Sequence, residues 1–145
     1  MQVDVVSETV IHRPVDEVAA YAADPTNAPE WYKNIESVEW QTEPGVRIGA
    51  RIAFVAHFLG KRLAYTYEIV EYEPGARLVM RTSQGPFPMA TTYTWAATDE
   101  GTRMTLRNQG EPSGFSKLVA PFIAGNARRA NRDDLETLRA LLEAR

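Results

Sequence analysis

The sequence predicts an α+β fold: a curved seven-stranded antiparallel sheet wrapped around a long C-terminal helix, with two short helices between strands 1 and 2. Three observations predict it. A Val- and Thr-rich alternating stretch opens the chain, turn signals then recur through residues 35–110, and an amphipathic helical pattern closes it.

Residues 2–11 (QVDVVSETVI) alternate loosely, as a strand does. Pro14 suits a first helical turn, and Val15, Val18 and Ala22 follow at helical spacing. Asp24-Pro25 ends that helix, because the residue before a proline avoids the α region. A second short helix is expected over Ala28 to Tyr32. From Ile35 to Gly110 the turn signals are Glu43-Pro44-Gly45, Gly60-Lys61, Pro74-Gly75, Gly85-Pro86 and Asp99-Glu100-Gly101. They divide this stretch into the strands of a meander. After Gly110, Glu111-Pro112-Ser113-Gly114 leads into the last helix, with a break or bend expected at Pro121. Arg128, Arg132, Glu136, Arg139 and Glu143 share one side of that helix. Ile123, Ala127, Ala130, Leu138 and Leu141 share the other.

Composition narrows the function classes. The 145 residues suit one domain, 1–145, that buries roughly 70% of its unfolded surface. Sixteen Lys plus Arg stand against 19 acidic residues, a net charge of −3. That balance lacks the basic field of a general nucleic-acid binder. There is no cysteine, which removes disulfides, thiol nucleophiles and iron–sulfur clusters. The histidines are His12 and His57 alone, so no metal site is expected, and no cofactor-binding motif is present. Neither a signal peptide nor a membrane-length apolar run is found, so a soluble, cytoplasmic protein without membrane insertion is expected.

The turns also set a register. A tip at Gly60-Lys61 pairs Phe58 with Leu63, Ala56 with Tyr65, Phe54 with Tyr67 and Ile52 with Ile69. A tip at Pro74-Gly75 pairs Ile69 with Met80, Tyr67 with Thr82 and Glu68 with Arg81. A tip at Glu100-Gly101 pairs Trp95 with Leu106, Tyr93 with Asn108 and Thr94 with Arg107. All three agree on one covered face and one wet face. His57 falls on the wet face opposite Ala64, and His12 reads as a loop residue.

The covered face changes character along its length. At the end near residues 45, 75 and 100 it is dry: Ile52, Ile69, Leu78, Trp95 and Met104, within reach of Leu138, Leu141 and Leu142. At the other end it carries Tyr65, Tyr67, Thr82, Thr91, Tyr93 and Asn108. A solid core does not need so many hydroxyls and amides, whereas a cavity of roughly 300–1,000 Å³ with directed polar groups does. The expected cavity wall is Phe54, Tyr65, Tyr67, Met80, Thr82, Met89, Thr91, Tyr93, Trp95 and Asn108 from the sheet, with Phe122 and Asn126 from the helix. Tyr65, Tyr67, Tyr93 and Asn108 are the foremost ligand contacts; the alternative is that they fill the core and bond one another or water. The expected cavity entrance is Phe58, Leu59, Leu63, Phe87, Phe115 and Leu118, either a gate or a homodimer contact.

Glu71 and Asp134 are the carboxylates expected to point inward, each held by a cap or an ion pair. Asn131 lies near the inner stripe of the helix. Trp31 and Tyr32 either pack the second short helix onto the sheet or gate the pocket.

Several stretches carry a family resemblance. They are Ile11-His12-Arg13-Pro14-Val15-Asp16-Glu17-Val18, Asp24 followed by Trp31, and Val70-Glu71-Tyr72-Glu73-Pro74-Gly75-Ala76-Arg77-Leu78. Gly101-Thr102-Arg103-Met104-Thr105-Leu106 and Leu135 to Leu142 continue them. The whole chain resembles the START-like superfamily, also called SRPBCC or helix-grip proteins, which includes birch pollen allergen and the polyketide cyclase/dehydrase and lipid-transport families. The resemblance implies a sheet gripping the last helix around an apolar cavity. It transfers no catalytic residue. The expected function is binding or transport of a small hydrophobic molecule, lipid-like or polyketide-like, by a monomer or homodimer. The alternative is a cyclase or dehydratase using the pocket Tyr and Asn groups.

Overall fold

The computed structural model describes residues 3–58, 60–111 and 120–145, and at 58 and 120–124 the backbone alone. Strand β1 (Val3–Ile11) leads into α1 (Val15–Ala23), a 3-10 turn (Pro25–Asn27) and α2 (Ala28–Trp31). The strands β2 (Ile35–Trp40), β3 (Arg51–Phe58), β4 (Lys61–Glu73), β5 (Arg77–Gln84), β6 (Met89–Thr98) and β7 (Gly101–Gly110) follow. Helix α3 (Ala120–Glu143) ends the chain. The strands form one antiparallel sheet in the order β1-β7-β6-β5-β4-β3-β2. This is the curled sheet and C-terminal helix expected from the sequence, with the two short helices where the prolines placed them. Pro121 sits in the first turn of α3, where its missing N–H costs nothing.

The expected faces hold, while two hairpins are tighter than expected. Phe58 pairs with Lys61, Ala56 with Leu63, Phe54 with Tyr65 and Ile52 with Tyr67. At the last hairpin, Thr98 pairs with Gly101, Trp95 with Met104, Tyr93 with Leu106, Thr94 with Thr105 and Thr91 with Asn108. Gly60 and Gly101 adopt φ of 78° and 139°, so each turn closes without the wider loop that the expected pairing required. Each slip is two residues, one full pleat, so every side chain keeps its face. The middle hairpin pairs Ile69 with Met80, Tyr67 with Thr82 and Glu68 with Arg81, as expected.

Glu71 does not point inward. The β4–β5 register shifts between Ile69 and Glu71. The extra residue reverses the alternation beyond it. Glu71 is therefore exposed and 3.4 Å from Arg77, while Tyr72 packs against the core.

The buried stripe of α3 is Asn131, Asp134, Leu135, Leu138 and Leu142. Leu141 lies off that stripe and is 37% exposed, so it does not join the dry end. There the core gathers Ile52, Ile69, Leu78, Met104, Leu138 and Leu142, all fully buried. The segment between β1 and α1 clamps the helix C-terminus. Arg13 Nε donates to the Leu142 carbonyl at 2.9 Å and Nη2 to the Glu143 carbonyl at 3.2 Å. The His12 backbone N–H donates to Glu143 Oε2 at 3.0 Å. A cation on the last carbonyls of a helix answers both their unpaired lone pairs and the helix dipole.

Gly101 lies directly beneath this clamp. A Cβ there would strike the Ile11 carbonyl and come within 2.9 Å of Arg13 N. Gly49 also has a positive φ, 93°, yet a Cβ there meets nothing within 4 Å. Gly101→Ala therefore adds a backbone clash to conformational strain and should cost roughly 2–4 kcal/mol, against about 1 kcal/mol for Gly49→Ala. Urea unfolding of the two variants checks this, and equal losses would refute it.

Candidate functional site

The half of the concave face away from the dry end holds a partly open cavity of about 200 Å³. Phe54, Tyr65, Tyr67, Met80, Met89, Thr91, Tyr93 and Asn108 stand on its wall, as do Leu63 and Phe87 from the expected entrance. Helix α3 adds Ala127, Ala130, Asn131 and Asp134, and the chain after α2 adds Tyr32, Asn34 and Ile35. The volume falls below the expected range because aromatic rings occupy the space. Phe54 stacks on Tyr65 with centroids 5.4 Å apart, and Tyr67 meets Tyr65 edge-on at 5.0 Å.

Three expected wall residues lie elsewhere. Trp95 is buried toward the dry end, its ring 5.9 Å from Tyr93, and is not on the wall. The Thr82 hydroxyl bridges β5 to β6. It accepts from the Met89 N–H at 2.7 Å and donates to the Met89 carbonyl at 2.9 Å. Asn126 is partly buried on α3, and the cavity's helical amide is Asn131 instead. Residues five apart on a helix sit well over a quarter-turn from each other, so the two asparagines cannot share a face. Leu59, Phe115 and Leu118, and the side chains of Phe58 and Phe122, fall outside the described residues.

Two hydrogen-bonded groups organise the polar part of the wall. The Tyr32 and Tyr93 hydroxyls lie 2.6 Å apart. The Tyr67 and Thr91 hydroxyls lie 2.9 Å apart, Thr91 donates to Asn108 Oδ1 at 2.7 Å, and Asn108 Nδ2 donates to Asn131 Oδ1 at 2.9 Å. Burial raises the pKa of Tyr32, Tyr65, Tyr67 and Tyr93, that of Tyr67 to about 12. They are neutral phenols at any physiological pH, able to donate but not to act as bases.

Asp134 does point inward, as expected. It is 4% exposed and accepts the Lys33 backbone N–H at 3.0 Å. Burial pushes its carboxyl up from 3.8 to about 6; the Lys33 hydrogen bond opposes this and the neighbouring Asp133 adds to it. Trp31, 1% exposed, packs α2 into the core, and Tyr32 beside it reaches the cavity. The His57 ring is exposed and 2.9 Å from Glu36 Oε2, and the residue also borders the cavity; its strand partner is Arg62, not Ala64. Asn34 and Ile35 were not anticipated on the wall, while Asn131 was placed only near the inner stripe of the helix and Tyr32 only as a packing or gating residue. Asn131 shares the helical spacing of Ala127 and Asp134, a signal that could have found it. Tyr32 gave only its position after a short helix.

A curled antiparallel sheet gripping a C-terminal helix over an amphipathic cavity defines a helix-grip protein of the START-like superfamily. Residues 2–143 match the family described as polyketide cyclase / dehydrase and lipid transport, and the chain belongs to that family. Among similar solved structures, the Zhui aromatase/cyclase from Streptomyces sp. R1128 has a TM-score of 0.81 at 16% identity, covering 99% of this chain and 94% of that one. A Thermus thermophilus protein has a TM-score of 0.74 at 24% identity, covering 97% and 94%. The major latex-like protein 151 of Panax ginseng has a TM-score of 0.70 at 13% identity, covering 99% and 96%. At such identities the likeness is one of fold. No curated protein matches the sequence. Among the described residues, no helix is long and apolar enough to cross a membrane.

The Asp134 carboxyl has a measurable consequence. Its proton is held more tightly in the folded state, with a value of about 6 against an ordinary 3.8. Its stabilising contribution is therefore full below about pH 4, falls as the pH rises toward 6, and stays lost above that. Asp134→Asn keeps an acceptor for the Lys33 N–H and removes the buried charge. The variant should gain stability relative to wild type between about pH 4 and pH 7.5. Urea midpoints at both pH values measure this, and a pH-independent difference would refute it.

Proposed function

We propose that the protein binds a small, largely apolar molecule in the cavity between the sheet and α3, holding it for transport or delivery. The observation that carries this reading is the placement of small residues where α3 crosses the cavity. Ala127 and Ala130 stand on the wall, while one to two turns further on Leu135 and Leu138 close the core completely. A helix that had only to seal a core would carry large side chains at both places. Family membership supports the same reading, since the family's description includes lipid transport.

A second reading, a cyclase or dehydratase, draws on the Asp134 carboxyl near neutrality and the Tyr32–Tyr93 hydroxyl pair on the same cavity. A carboxyl of that acidity can give and take a proton at physiological pH, and a neutral phenol can polarise a carbonyl. Under this reading Asp134→Asn and Tyr93→Phe keep ligand affinity and lose turnover.

Native mass spectrometry of protein purified from its own host should show a retained small molecule. Ala130→Phe fills the cavity from the helix side. It should lower the affinity for a methyl naphthyl ketone probe at least roughly tenfold while leaving thermal unfolding cooperative. Wild-type protein that takes up no apolar probe, and carries none from its host, would overturn the proposal.

A further inference from the structure

The cavity wall carries a carboxyl and supplies no cation to meet it. Asp134 stands on that wall and is 4% exposed. An ionised carboxylate has about four acceptor sites. Among the described residues one donor reaches it, the Lys33 backbone N–H at 3.0 Å. The Lys33 side chain itself is exposed. Besides burial, which dominates, the Asp134 charge raises the pKa of Tyr32 and of Tyr93, so the carboxyl lies near that hydroxyl pair on the cavity.

The rest of the wall is aromatic: Tyr32, Phe54, Tyr65, Tyr67, Phe87 and Tyr93. No lysine or arginine stands among the described wall residues, and the wall histidine, His57, is 2.9 Å from Glu36. A buried carboxyl either keeps a proton or pairs with a cation. A ligand can bring the cation that the wall lacks. Aromatic faces favour the same group, because the ring quadrupole presents negative charge to it. An ammonium offers N–H donors to the carboxylate and positive charge to the rings. A neutral polar group leaves the carboxylate charge unmatched, and a ligand carboxylate would set two like charges together.

We infer that the ligand of this cavity is an apolar molecule carrying a protonated amine, held by Asp134 against the aromatic wall. The inference rests on the ligand-binding reading above and adds the ligand's chemical class. The charged and titratable groups around Asp134 are Lys33 and Tyr32 from the α2–β2 connection, Tyr93 from β6 and Asp133 from its own helix, with His57 from β3 on the same wall.

A matched pair of probes tests it. Naphthylethylamine, with its amine on the carbon next to the ring, and isopropylnaphthalene share a shape and differ by NH₃⁺ against CH₃. At about pH 7.5, Asp134→Asn should weaken amine binding at least roughly tenfold and change hydrocarbon binding by less than about twofold. In wild type the carboxyl ionises around pH 6. Amine affinity should therefore rise roughly tenfold from about pH 5 to about pH 7.5, while hydrocarbon affinity stays level. At about pH 5, amine binding should release about one proton, read by calorimetry in two buffers of different ionisation heat. The variant keeps His57 and should lose both the pH profile and the proton release. If it does not fold, the wild-type profile decides together with the protonated-carboxyl infrared band, which amine binding should abolish and which a histidine does not give. An amine that binds wild type and variant alike, that binds without pH dependence, or that fails to bind while the hydrocarbon binds overturns the inference and leaves the ligand-binding reading standing. Binding of neither probe overturns both.

Discussion

The anchoring of one end of α3 is the constraint from which the rest of the molecule follows. Leu135, Leu138 and Leu142 are buried to 1% or less, and the last carbonyls of the helix are held by the Arg13 guanidinium. Arg13 is itself fixed to the sheet, because its carbonyl accepts the Thr102 hydroxyl at 2.8 Å. A helix bound this way at its C-terminal half has its direction set. Its preceding turns must then pass over the opposite half of the concave face, where the chain places alanine and asparagine instead of leucine. The cavity is thus a product of where the helix is anchored and of which residues it carries beyond the anchor.

That division also separates two kinds of interaction energy. At the dry end, burial of large aliphatic side chains supplies stability, and every side chain named there is apolar. At the cavity end, polar groups are buried in hydrogen-bonded sets that cross from element to element: Tyr32 to Tyr93, Tyr67 through Thr91 and Asn108 to Asn131, Lys33 to Asp134. These sets tie α3 and the α2–β2 connection to the sheet while leaving space between them. Buried polar groups contribute little net stability even when satisfied. What they supply here is orientation, with hydroxyl and amide hydrogens directed at fixed positions.

Most of the fold was legible in the sequence, because its signals are local. Alternation and turn glycines assign each strand and each face, and a two-residue error in two hairpins leaves both faces intact. The bulge at residue 70 was not legible, since Val70 is an ordinary strand residue. Its consequence was the misplacement of Glu71. The site was legible on the strands and less so elsewhere. Tyr65, Tyr67, Tyr93 and Asn108 follow from the pleat, whereas Thr82 and Trp95 lie on the covered face without reaching the cavity. Face assignment tells which way a side chain points, but its depth along the strand depends on how the helix crosses. The choice between Asn126 and Asn131 could be made locally, since Asn131 shares the helical spacing of Ala127 and Asp134 and Asn126 does not share a face with it.

Family membership leaves the individual ligand open, because the shared fold requires only the anchored helix and the curled sheet. The discriminating information must sit in the few wall positions that are neither apolar nor backbone. An apolar wall tolerates many shapes, since one methylene more or less changes affinity only modestly. A buried donor left without its acceptor rejects the wrong ligand far more strongly. In this chain the polar wall groups are carried by side chains from five separate elements, the α2–β2 connection, β4, β6, β7 and α3. Strands β4 and β6 are not neighbours in the sheet, so the Tyr67–Thr91 contact reaches across β5 and is possible only because the sheet curls. The hydrogen-bonded polar wall of the cavity therefore depends on the same curvature that lets the sheet close around the helix.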